Sequence, residues 1–267
     1  MLWQRVLTAL IVAPLFFGIL LCGSEPLQLG FWLLVMGLAA HELGKMFRFL
    51  GIYRWLYTGL VVLLCLAALL FSTRTASVLL GSVNLLWLVF VPYALGFYAR
   101  KQRLPVENTL LALLGAFQLA TFLLSIIILS IKLDDKALLS LFVVVWSADI
   151  GAYFVGRAFG KVPLAASISP KKTLEGFVGG LVVAFMLAGL ADVFFDFRLP
   201  SLVFLLASAL AIVYATIGDL WESVLKRRVG LKDSGNILPG HGGVMDRIDS
   251  WLSAFPIWAM ALVLWGV

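Results

Sequence analysis

The residues best suited to chemistry are concentrated between Gly218 and Asp249, near the C-terminus. These 32 residues contain five of the fourteen acids and five of the twenty bases, whereas most of the remaining chain is apolar. Ionised groups are expensive to hold at membrane depth and usually have a function where they occur. We therefore interpret this stretch as a site for phosphate groups and a metal ion.

Carboxylates recur at a spacing of three within this stretch. Asp219 and Glu222 follow an apolar run, with Lys226 on the same helical face, and Asp246 and Asp249 begin the last apolar run. Two such pairs at opposing helix ends predict a cage of oxygen ligands, which suits Mg²⁺ because that ion also keeps waters and substrate phosphates. Alternatively, each acid pairs with a neighbouring base such as Lys226, and both interpretations remain open for Glu222.

A glycine-rich turn lies between the two carboxylate pairs. Its residues Pro239–Gly243 expose successive backbone N–H groups that could hold an anion, and Lys232, Asp233 and Ser234 precede it. A short glycine motif is weak evidence alone and gains weight from the charged residues on both sides. His241 fits an acid or base, a metal ligand or a turn residue, and we favour phosphate contact or a structural role.

A second candidate phosphate site lies upstream, in the segment Ser169–Thr173. Serine followed by proline predicts a helix N-terminus, with Ser169 as the N-cap. The partial positive charge of that helix end would add to the charges of Lys171 and Lys172. The alternative is a pair of ordinary interfacial lysines.

Acids also occur within or beside other apolar runs. Asp149 shares a helical face with Arg157, and an unpaired carboxylate there requires a partner, a cation or water. Structural pairing and substrate contact are both open for Asp149, whereas the segment Gly156–Lys161 could bind phosphate or a lipid headgroup. His41 and Glu42, at the end of the second run, are predicted to be interfacial rather than catalytic.

The elements that must position these residues are membrane helices. Hydrophobic residues make up 63% of the chain and its mean hydropathy is +1.07, which excludes an ordinary soluble domain. The apolar runs approach the ~20 residues that cross a bilayer, and their continuity disfavours a β-barrel. We predict an all-α integral membrane protein, a polytopic helix bundle of about nine transmembrane helices. The runs are Val6–Gly23, Leu27–Ala40, Leu56–Phe71, Val78–Tyr98, Leu110–Ile131, Leu138–Phe154, Phe177–Phe195, Leu202–Ile217 and Trp251–Val267.

The bundle is predicted to be one membrane domain, residues 1–267. Residues 1–140 supply N-terminal helices, and residues 141–267 form the catalytic part with two polar loops, 156–175 and 222–250. Loops of this length in a compact bundle are usually functional or disordered, and their mixture of apolar and turn residues favours function. The second run has a short apolar part and must borrow flanking residues or tilt.

The basic residues support this topology independently. With the N-terminus in the cytoplasm, sixteen of the twenty bases fall in inside loops and only Arg74, Lys132, Lys136 and Arg198 fall outside. Positive residues favour the cytoplasmic side, so both long loops and the active site are predicted to face the cytoplasm, in a bacterial-type inner membrane. The net charge of +6 then follows mostly from topology, which argues against nucleic acid as a partner.

The first run is interpreted as a retained helix rather than a signal peptide. Arg5 precedes it as in a signal peptide, but the apolar part is longer than usual and no small-x-small cleavage site follows. Cys22 and Cys65 lie in apolar segments. Two such cysteines supply neither a disulfide framework nor a metal quartet, so we interpret them as small hydrophobic residues.

Together these residues resemble the phosphatidate cytidylyltransferase family, also called CDP-diacylglycerol synthases. In the family signature a serine precedes Lys-Arg, Lys-Asp, a small residue, Pro-x-His-Gly-Gly and Asp-Arg-x-Asp. The segments Asp149–Arg157 and Ser169–Gly176 are also similar to the family, so the specific resemblance covers about Asp149 to Ser250. The residues that match the signature are Ser223, Lys226, Arg227, Lys232, Asp233, Ser234, Pro239, His241, Gly242, Gly243, Asp246, Arg247 and Asp249.

The resemblance implies a reaction of CTP with phosphatidic acid that gives CDP-diacylglycerol and pyrophosphate. It implies a Mg²⁺-dependent centre, with a monovalent cation such as K⁺ as a further candidate. The site would be a polar cavity open to the cytoplasm and the inner leaflet. The family's metal aspartates carry over onto Asp219 and Asp246, and Asp249 is a further candidate.

This chemistry fits the residue types. A phosphomonoester is already anionic near pH 7 and needs no strong general base, whereas nucleotidyl transfer needs charge neutralisation and in-line alignment. We therefore assign catalytic roles to Asp219, Asp246, Lys226 and Arg247. The expected substrate-binding residues are Asp149, Arg157, Ser169, Lys171, Lys172, Thr173, Ser223, Arg227, Lys232, Asp233, Ser234, His241, Gly242 and Gly243.

Two other function classes remain open. An ion or solute transporter would explain acids at membrane depth, but the chain shows no paired broken helices in two related halves. A CTP-dependent lipid kinase would transfer only the terminal phosphate. CTP, phosphatidic acid and the bilayer are the expected partners. A homodimer is compatible with the sequence, which leaves the oligomeric state, the acyl-chain preference and the choice between CTP and dCTP open.

Overall fold

A computed structural model describes residues 2–266, apart from the side chains of residues 2, 4–6 and 9. The predicted end of the ninth run at Val267 and the side chain of Arg5 lie outside the described residues. Within them the chain forms nine long helices in the predicted order, which confirms the predicted fold class. The helices are α1 (Leu2–Cys22), α2 (Glu25–Met46), α3 (Ile52–Ala68), α4 (Thr73–Lys101), α5 (Asn108–Lys132), α6 (Asp135–Phe159), α7 (Leu174–Phe194), α8 (Ser201–Arg228) and α9 (Met245–Trp265).

Seven of the described helices, α2 and α4–α9, are long and apolar enough to cross a membrane. The other two contribute shorter apolar stretches, Leu10–Cys22 and Ile52–Ala68. The second run forms a full helix of 22 residues because it recruits Glu25 and Pro26 at its start and extends to Met46. The prediction that this run borrows flanking residues is confirmed.

Helix α4 is continuous through a π-helical turn at Leu86–Phe90. The turn lies just before Pro92, whose ring nitrogen cannot donate to the helical hydrogen-bond ladder. The wider turn absorbs this interruption without ending the helix.

An aromatic cluster at the centre of the bundle joins α1, α2, α6 and α9. The ring centroid of Phe142 lies 4.4 Å from that of Phe255 and 4.7 Å from that of Trp251, both on α9. Phe16 of α1 and Trp32 of α2 pack against the same ring at 5.1 and 5.8 Å. Aromatic contacts of this kind dominate core energetics, so α9 is held firmly in the middle of the bundle together with the acids in its first turns.

Small residues let the flanking helices approach one another closely. A Cβ at Gly176 of α7 would lie 2.7 Å from the carbonyl oxygen of Ala152 on α6. A Cβ at Gly218 of α8 would lie 2.6 Å from the carbonyl oxygen of Asp249 on α9. Close backbone contact through small residues is the usual way in which membrane helices associate. The contact at Gly218 brings Asp219 of α8 close to Asp249 of α9.

The segment before α7 is a β-hairpin rather than a helix start. Strands β1 (Pro163–Ala165) and β2 (Ser169–Thr173) pair in antiparallel orientation. The prediction that Ser169 is an N-cap is therefore wrong. Thr173 is the N-cap of α7, and its Oγ1 accepts a hydrogen bond from the N–H of Gly176 at 3.1 Å. The proline after Ser169 is tolerated because both strands of a two-stranded sheet are edge strands.

The polar connection before α9 is shorter than predicted. Helix α8 continues to Arg228 and α9 begins at Met245, so the loop covers residues 229–244 rather than 222–250. The helix extends because Glu222 and Lys226, four residues apart, pair on one face of α8. Lys226 and Asp246 therefore project from rigid helices.

Candidate active site

A cavity of about 490 Å³ lies between α6, α7, α8, α9 and β2. Part of its wall is apolar, with Leu164, Phe177, Leu181 and Ile212. The rest carries ionisable groups from five separate segments of the chain. The charged lining residues are Asp149, Lys171, Lys172, Asp219, Lys226, Asp233, Asp246, Arg247 and Asp249.

The predicted convergence of Asp219, Asp246 and Lys172 is confirmed, since all three line this cavity. Lys172 forms an ion pair with Asp219, 47 residues further along the chain. The two side chains remain 28% and 26% exposed, so the pair lies at the open surface of the cavity. An ion pair in contact with water contributes little to stability, so its members can exchange partners at low cost.

The ammonium group of Lys226 lies between two buried carboxylates. It donates to Oε2 of Glu222 at 2.5 Å and to Oδ1 of Asp246 at 2.6 Å. The side chains are 11%, 1% and 5% exposed for Lys226, Glu222 and Asp246. Of the two interpretations left open for Glu222, pairing with a base is the one that the structure shows. One cation between two carboxylates leaves a net negative charge, which further hydrogen bonds must stabilise.

The second carboxylate oxygen of Asp246 is bound by the loop. Oδ2 accepts the backbone N–H of Ser234 and of Gly243, each at 2.8 Å, and lies 2.9 Å from the Ser234 hydroxyl. The glycine-rich turn was expected to cradle a substrate anion with these amides. The anion held by the Gly243 amide is Asp246 itself, because the loop folds back over the first turn of α9.

Asp149 and Asp249 form no ion pair with any basic side chain of the described chain. Their charges act on each other and on that of Asp219, and Lys172 and Arg247 partly offset the repulsion at Asp149. Three like charges around one cavity repel one another unless a cation or a proton lies among them. This side of the cavity therefore retains capacity to bind positive charge.

The carboxylates fit Mg²⁺ only in an open arrangement. No group of three or more His, Cys, Asp or Glu side chains among residues 2–266 is close enough to hold one ion, so the expected cage is not closed. Mg²⁺ needs fewer protein ligands than such a cage supplies, because it keeps several waters and takes one or two carboxylates together with substrate phosphates. Asp219 and Asp249 fit that role, and Oδ1 of Asp246, whose one donor within the described chain is Lys226, retains a lone pair.

All four predicted catalytic residues and all three predicted metal ligands line the cavity, whereas nine predicted substrate-binding residues do not. Arg157 donates instead to the hydroxyl of Tyr153 at 3.1 Å, and Arg227 to the carbonyl of Leu231 at 3.2 Å. Successive residues on a helix point about 100° apart, so Arg227 faces away when Lys226 faces inward. The nine are Arg157, Ser169, Ser223, Arg227, Lys232, Ser234, His241, Gly242 and Gly243.

Glu42 is a site residue that sequence reasoning missed. It was predicted to be interfacial, but it is buried and accepts hydrogen bonds from Ser234, Val244 and Met245, beside Asp246. The available signal was a carboxylate at the end of an apolar run, which resembles the signal that singled out Asp149 within the sixth run. Its partners lie about 200 residues away, so no local pattern identifies them.

Comparison with known proteins places these residues in a family context. The sequence profile of the cytidylyltransferase family matches residues 3–265. A protein of Bacillus subtilis (strain 168) is 32% identical over 98% of this chain and 98% of its own length. Proteins of Pseudomonas aeruginosa and Haemophilus influenzae are each 35% identical, over 98% and 97% of this chain and 97% and 98% of their own lengths. All three relatives are named phosphatidate cytidylyltransferase.

Proposed function

The chain belongs to the cytidylyltransferase family, and from that premise we propose that it transfers the CMP moiety of CTP to phosphatidic acid, giving CDP-diacylglycerol and pyrophosphate. It is a nucleotidyltransferase and an integral membrane protein. The observation that carries the proposal is one cavity in which charged residues from five segments meet beside an apolar wall. A lipid phosphate and a nucleoside triphosphate together require that combination.

In the proposed reaction an oxygen of the lipid phosphate attacks the α-phosphorus of CTP. A new P–O bond forms, and the bond from the α-phosphorus to the oxygen that bridges the α- and β-phosphates breaks. Pyrophosphate leaves with that electron pair. Because the attacking phosphate is already ionised near pH 7, the residues have to align and neutralise the reactants rather than remove a proton.

The charge of the cavity supports a requirement for an added cation. Five acids and four bases line it, a formal charge of 4 − 5 = −1, and both substrates are polyanions. Mg²⁺ at the carboxylates would neutralise phosphate oxygens and stabilise the departing pyrophosphate. We assign Asp219 and Asp249 as its principal protein ligands, with Asp246 as a third through Oδ1. A monovalent cation such as K⁺ beside them is compatible with the same excess of negative charge.

We assign the basic residues two different roles. Lys171, Lys172 and Arg247 line the cavity and are proposed to bind phosphate groups. Lys172 is partly exposed, so it can leave its carboxylate partner when phosphates enter. Lys226 is held on two sides by carboxylates, and we propose that it fixes Asp246 while adding positive charge to the cavity wall.

The proposed location is a cytoplasmic membrane, with the cavity facing the cytoplasm. In the predicted topology, sixteen of the twenty bases fall on the side of the membrane that carries the hairpin and the loop of residues 229–244. CTP is a cytoplasmic metabolite, so this orientation gives it access to the cavity. The apolar part of the wall would accommodate the glycerol end of the lipid while its acyl chains remain in the bilayer.

The position of a radioactive label in CTP tests this function. Membranes that contain the protein are incubated with phosphatidic acid, Mg²⁺ and CTP labelled at either the α- or the γ-phosphate. We expect α-label in the lipid product and γ-label in released pyrophosphate. γ-Label in the lipid would instead identify a CTP-dependent kinase, and no lipid label from either CTP would contradict the proposal.

Two variants of one helix provide a matched control for that assay. Asp149→Asn changes a carboxylate at the cavity and should abolish transfer of the α-label. Asp135→Asn makes the same change at the exposed first turn of α6, roughly 21 Å away at 1.5 Å per residue, and should retain wild-type transfer.

A further inference from the structure

Glu42, on α2, lies beneath the loop of residues 229–244. It is only 4% exposed and does not line the cavity. Its Oε1 accepts the N–H of Val244 at 3.1 Å, and its Oε2 accepts the N–H of Met245 at 2.8 Å and the hydroxyl of Ser234 at 2.7 Å. It forms no ion pair with a Lys or Arg side chain of the described chain. Hydrogen-bond donors of the loop and of α9 alone therefore balance its charge.

These bonds supply the N-terminal cap that α9 lacks. Val244 occupies the N-cap position and its apolar side chain makes no capping bond. The first N–H groups of a helix have no acceptor within the helix, and a carboxylate beside them also interacts favourably with the helix dipole. Glu42, 202 residues before Val244, provides the acceptor from another helix.

Two glycines allow the loop backbone to lie directly against this carboxylate. A Cβ at Gly235 would lie 2.8 Å from Cδ of Glu42, and a Cβ at Gly243 would collide with both oxygens of Glu42 and with the Ser234 hydroxyl. Neither glycine has a positive φ. Close approach to Glu42, rather than an unusual backbone conformation, therefore explains glycine at both positions.

Ser234 connects Glu42 to Asp246. Its fully buried hydroxyl lies 2.7 Å from Oε2 of Glu42 and 2.9 Å from Oδ2 of Asp246, and it has a single proton. Oδ2 of Asp246 already accepts two backbone amides, and the contact with Glu42 is shorter, so we assign the proton to Glu42. The hydroxyl oxygen then accepts the backbone N–H of Asp246 at 3.4 Å, which links it to α9. A movement of Glu42 would therefore shift Ser234, which would shift Asp246 and its partner Lys226.

We propose that Glu42 is a positioning residue for the transfer reaction, holding the loop and the first turn of α9 so that Asp246 and Arg247 face the cavity in fixed positions. The inference rests on the proposed function. Glu42 does not line the cavity, so its loss should slow the reaction of bound substrates more than it weakens their binding.

Glu42→Gln tests this role. The amide keeps the shape of the side chain but turns one acceptor into an NH₂ donor that faces other donors, which loosens the first turn of α9. We expect kcat per folded molecule to fall ~10- to 100-fold and KM for CTP to change less than about threefold. The measurements are initial rates with α-labelled CTP, normalised to monodisperse protein from gel filtration. Glu25→Gln, an exposed position on the same helix, is the matched control and should keep the wild-type kcat.

Two further variants distinguish positioning from a purely structural role. Glu42→Asp retains the charge and should recover part of the lost kcat. Ser234→Ala removes the hydroxyl between Glu42 and Asp246, while the backbone bonds of Glu42 and the bond from the Ser234 N–H to Asp246 remain. The effect of Glu42→Gln combined with Ser234→Ala on kcat should be smaller than the product of the single effects, because both changes interrupt one chain of contacts.

The outcomes separate this inference from the proposed function. A folded Glu42→Gln protein with wild-type kcat would overturn the inference, as would a loss of activity that only follows the amount of folded protein. Should Glu42→Gln not fold, a wild-type kcat for Ser234→Ala in the same assay would overturn it. Absence of label transfer by the wild-type protein would contradict the proposed function itself.

Discussion

Two groups of charged residues at one cavity, whose wall includes all of them except Glu222, use their hydrogen-bonding capacity in opposite ways. In the closed cluster a buried ammonium group binds two carboxylates, and loop amides bind the remaining oxygen of one of them. In the open cluster two carboxylates form no ion pair within the described chain, and the third forms a partly exposed ion pair with Lys172. The closed cluster is Glu222, Lys226 and Asp246, and the open cluster is Asp149, Asp219 and Asp249.

This difference indicates that the closed cluster positions side chains, whereas the open cluster binds ligands. Donors and acceptors that the protein satisfies internally mainly fix geometry, although Oδ1 of Asp246 in the closed cluster still has a lone pair that can contribute to a bound ion. Carboxylates that repel one another beside solvent store unfavourable energy, which a bound cation would release. Changes in the closed cluster should therefore lower both stability and activity. Changes in the open cluster should lower activity without lowering stability.

Lys226→Met should have the largest effect, because it leaves two buried carboxylates facing each other without a cation. Removing one partner of a buried pair typically costs ~3–5 kcal/mol of folding free energy. We expect a sharply lower yield of folded protein and a lower thermal midpoint in detergent. The double variant Glu222→Gln/Lys226→Met removes one of the stranded charges and should recover part of that midpoint. A single variant as stable as the wild type would show that the closed cluster does not support the fold.

Asp249→Asn should abolish most activity without a stability cost. The side chain keeps its shape and the oxygen that accepts the N–H of Ser250, but it loses the charge proposed to hold a cation. We expect turnover to fall ~10²- to 10³-fold, as when a charge-stabilising group is removed from an active site. The thermal midpoint should rise, because repulsion from Asp219 and Asp149 is relieved. A lower midpoint with retained turnover would reverse the roles assigned to the two clusters.

Lys172→Met is the counterpart of Lys226→Met on the open side. Its ion pair is partly exposed, so the loss of folding free energy should stay within about 1 kcal/mol. Turnover should nevertheless fall ~10- to 100-fold, because a phosphate-binding charge is lost from a site that depends on alignment. The thermal midpoints and turnover rates of the Lys172→Met and Lys226→Met proteins are measured under the same conditions and compared. Equal destabilisation by Lys172→Met and Lys226→Met would contradict the distinction between the open and the closed cluster.

Gly243→Ala and Gly230→Ala provide the smallest and most specific contrast, because both glycines belong to the same loop. A methyl group at Gly243 collides with Glu42 and Ser234, whereas Gly230 has open space around it and needs glycine only for its positive φ of 72°. We expect Gly243→Ala to lower kcat about tenfold by shifting Asp246. Gly230→Ala should cost ~1 kcal/mol of stability and leave kcat unchanged. Equal kcat values for the two variants would remove the link between the loop and the cavity.

The fold was largely predictable because membrane helices are specified by local composition. Nine apolar runs gave nine helices among the described residues, and the acids at their ends marked the cavity. The convergence of Asp219, Asp246 and Lys172 was also predictable, since each is a charged residue at the end of an apolar run. A charge at such a position has few places to lie other than a shared polar cavity.

Features that depend on distant partners were not predictable. Ser169 has the local signature of an N-cap, but pairing between β1 and β2 makes Thr173 the cap. The glycine-rich turn has the composition of an anion-binding loop, and the anion that its Gly243 amide binds is the carboxylate of Asp246. The sequence shows that donors are present, but which acceptor they meet depends on how α2 and α9 pack.

A crystal structure with Mn²⁺ and a CTP analogue whose α–β bridge resists cleavage would show which cluster binds the reactants. The anomalous signal of Mn²⁺ identifies the ion without reference to activity. We predict an ion in the cavity, coordinated by Asp219 or Asp249 and by phosphate oxygens, with Lys226 still between Glu222 and Asp246. An ion that displaces Lys226 from the closed cluster, or a bound CTP analogue with no ion in the cavity, would contradict the account.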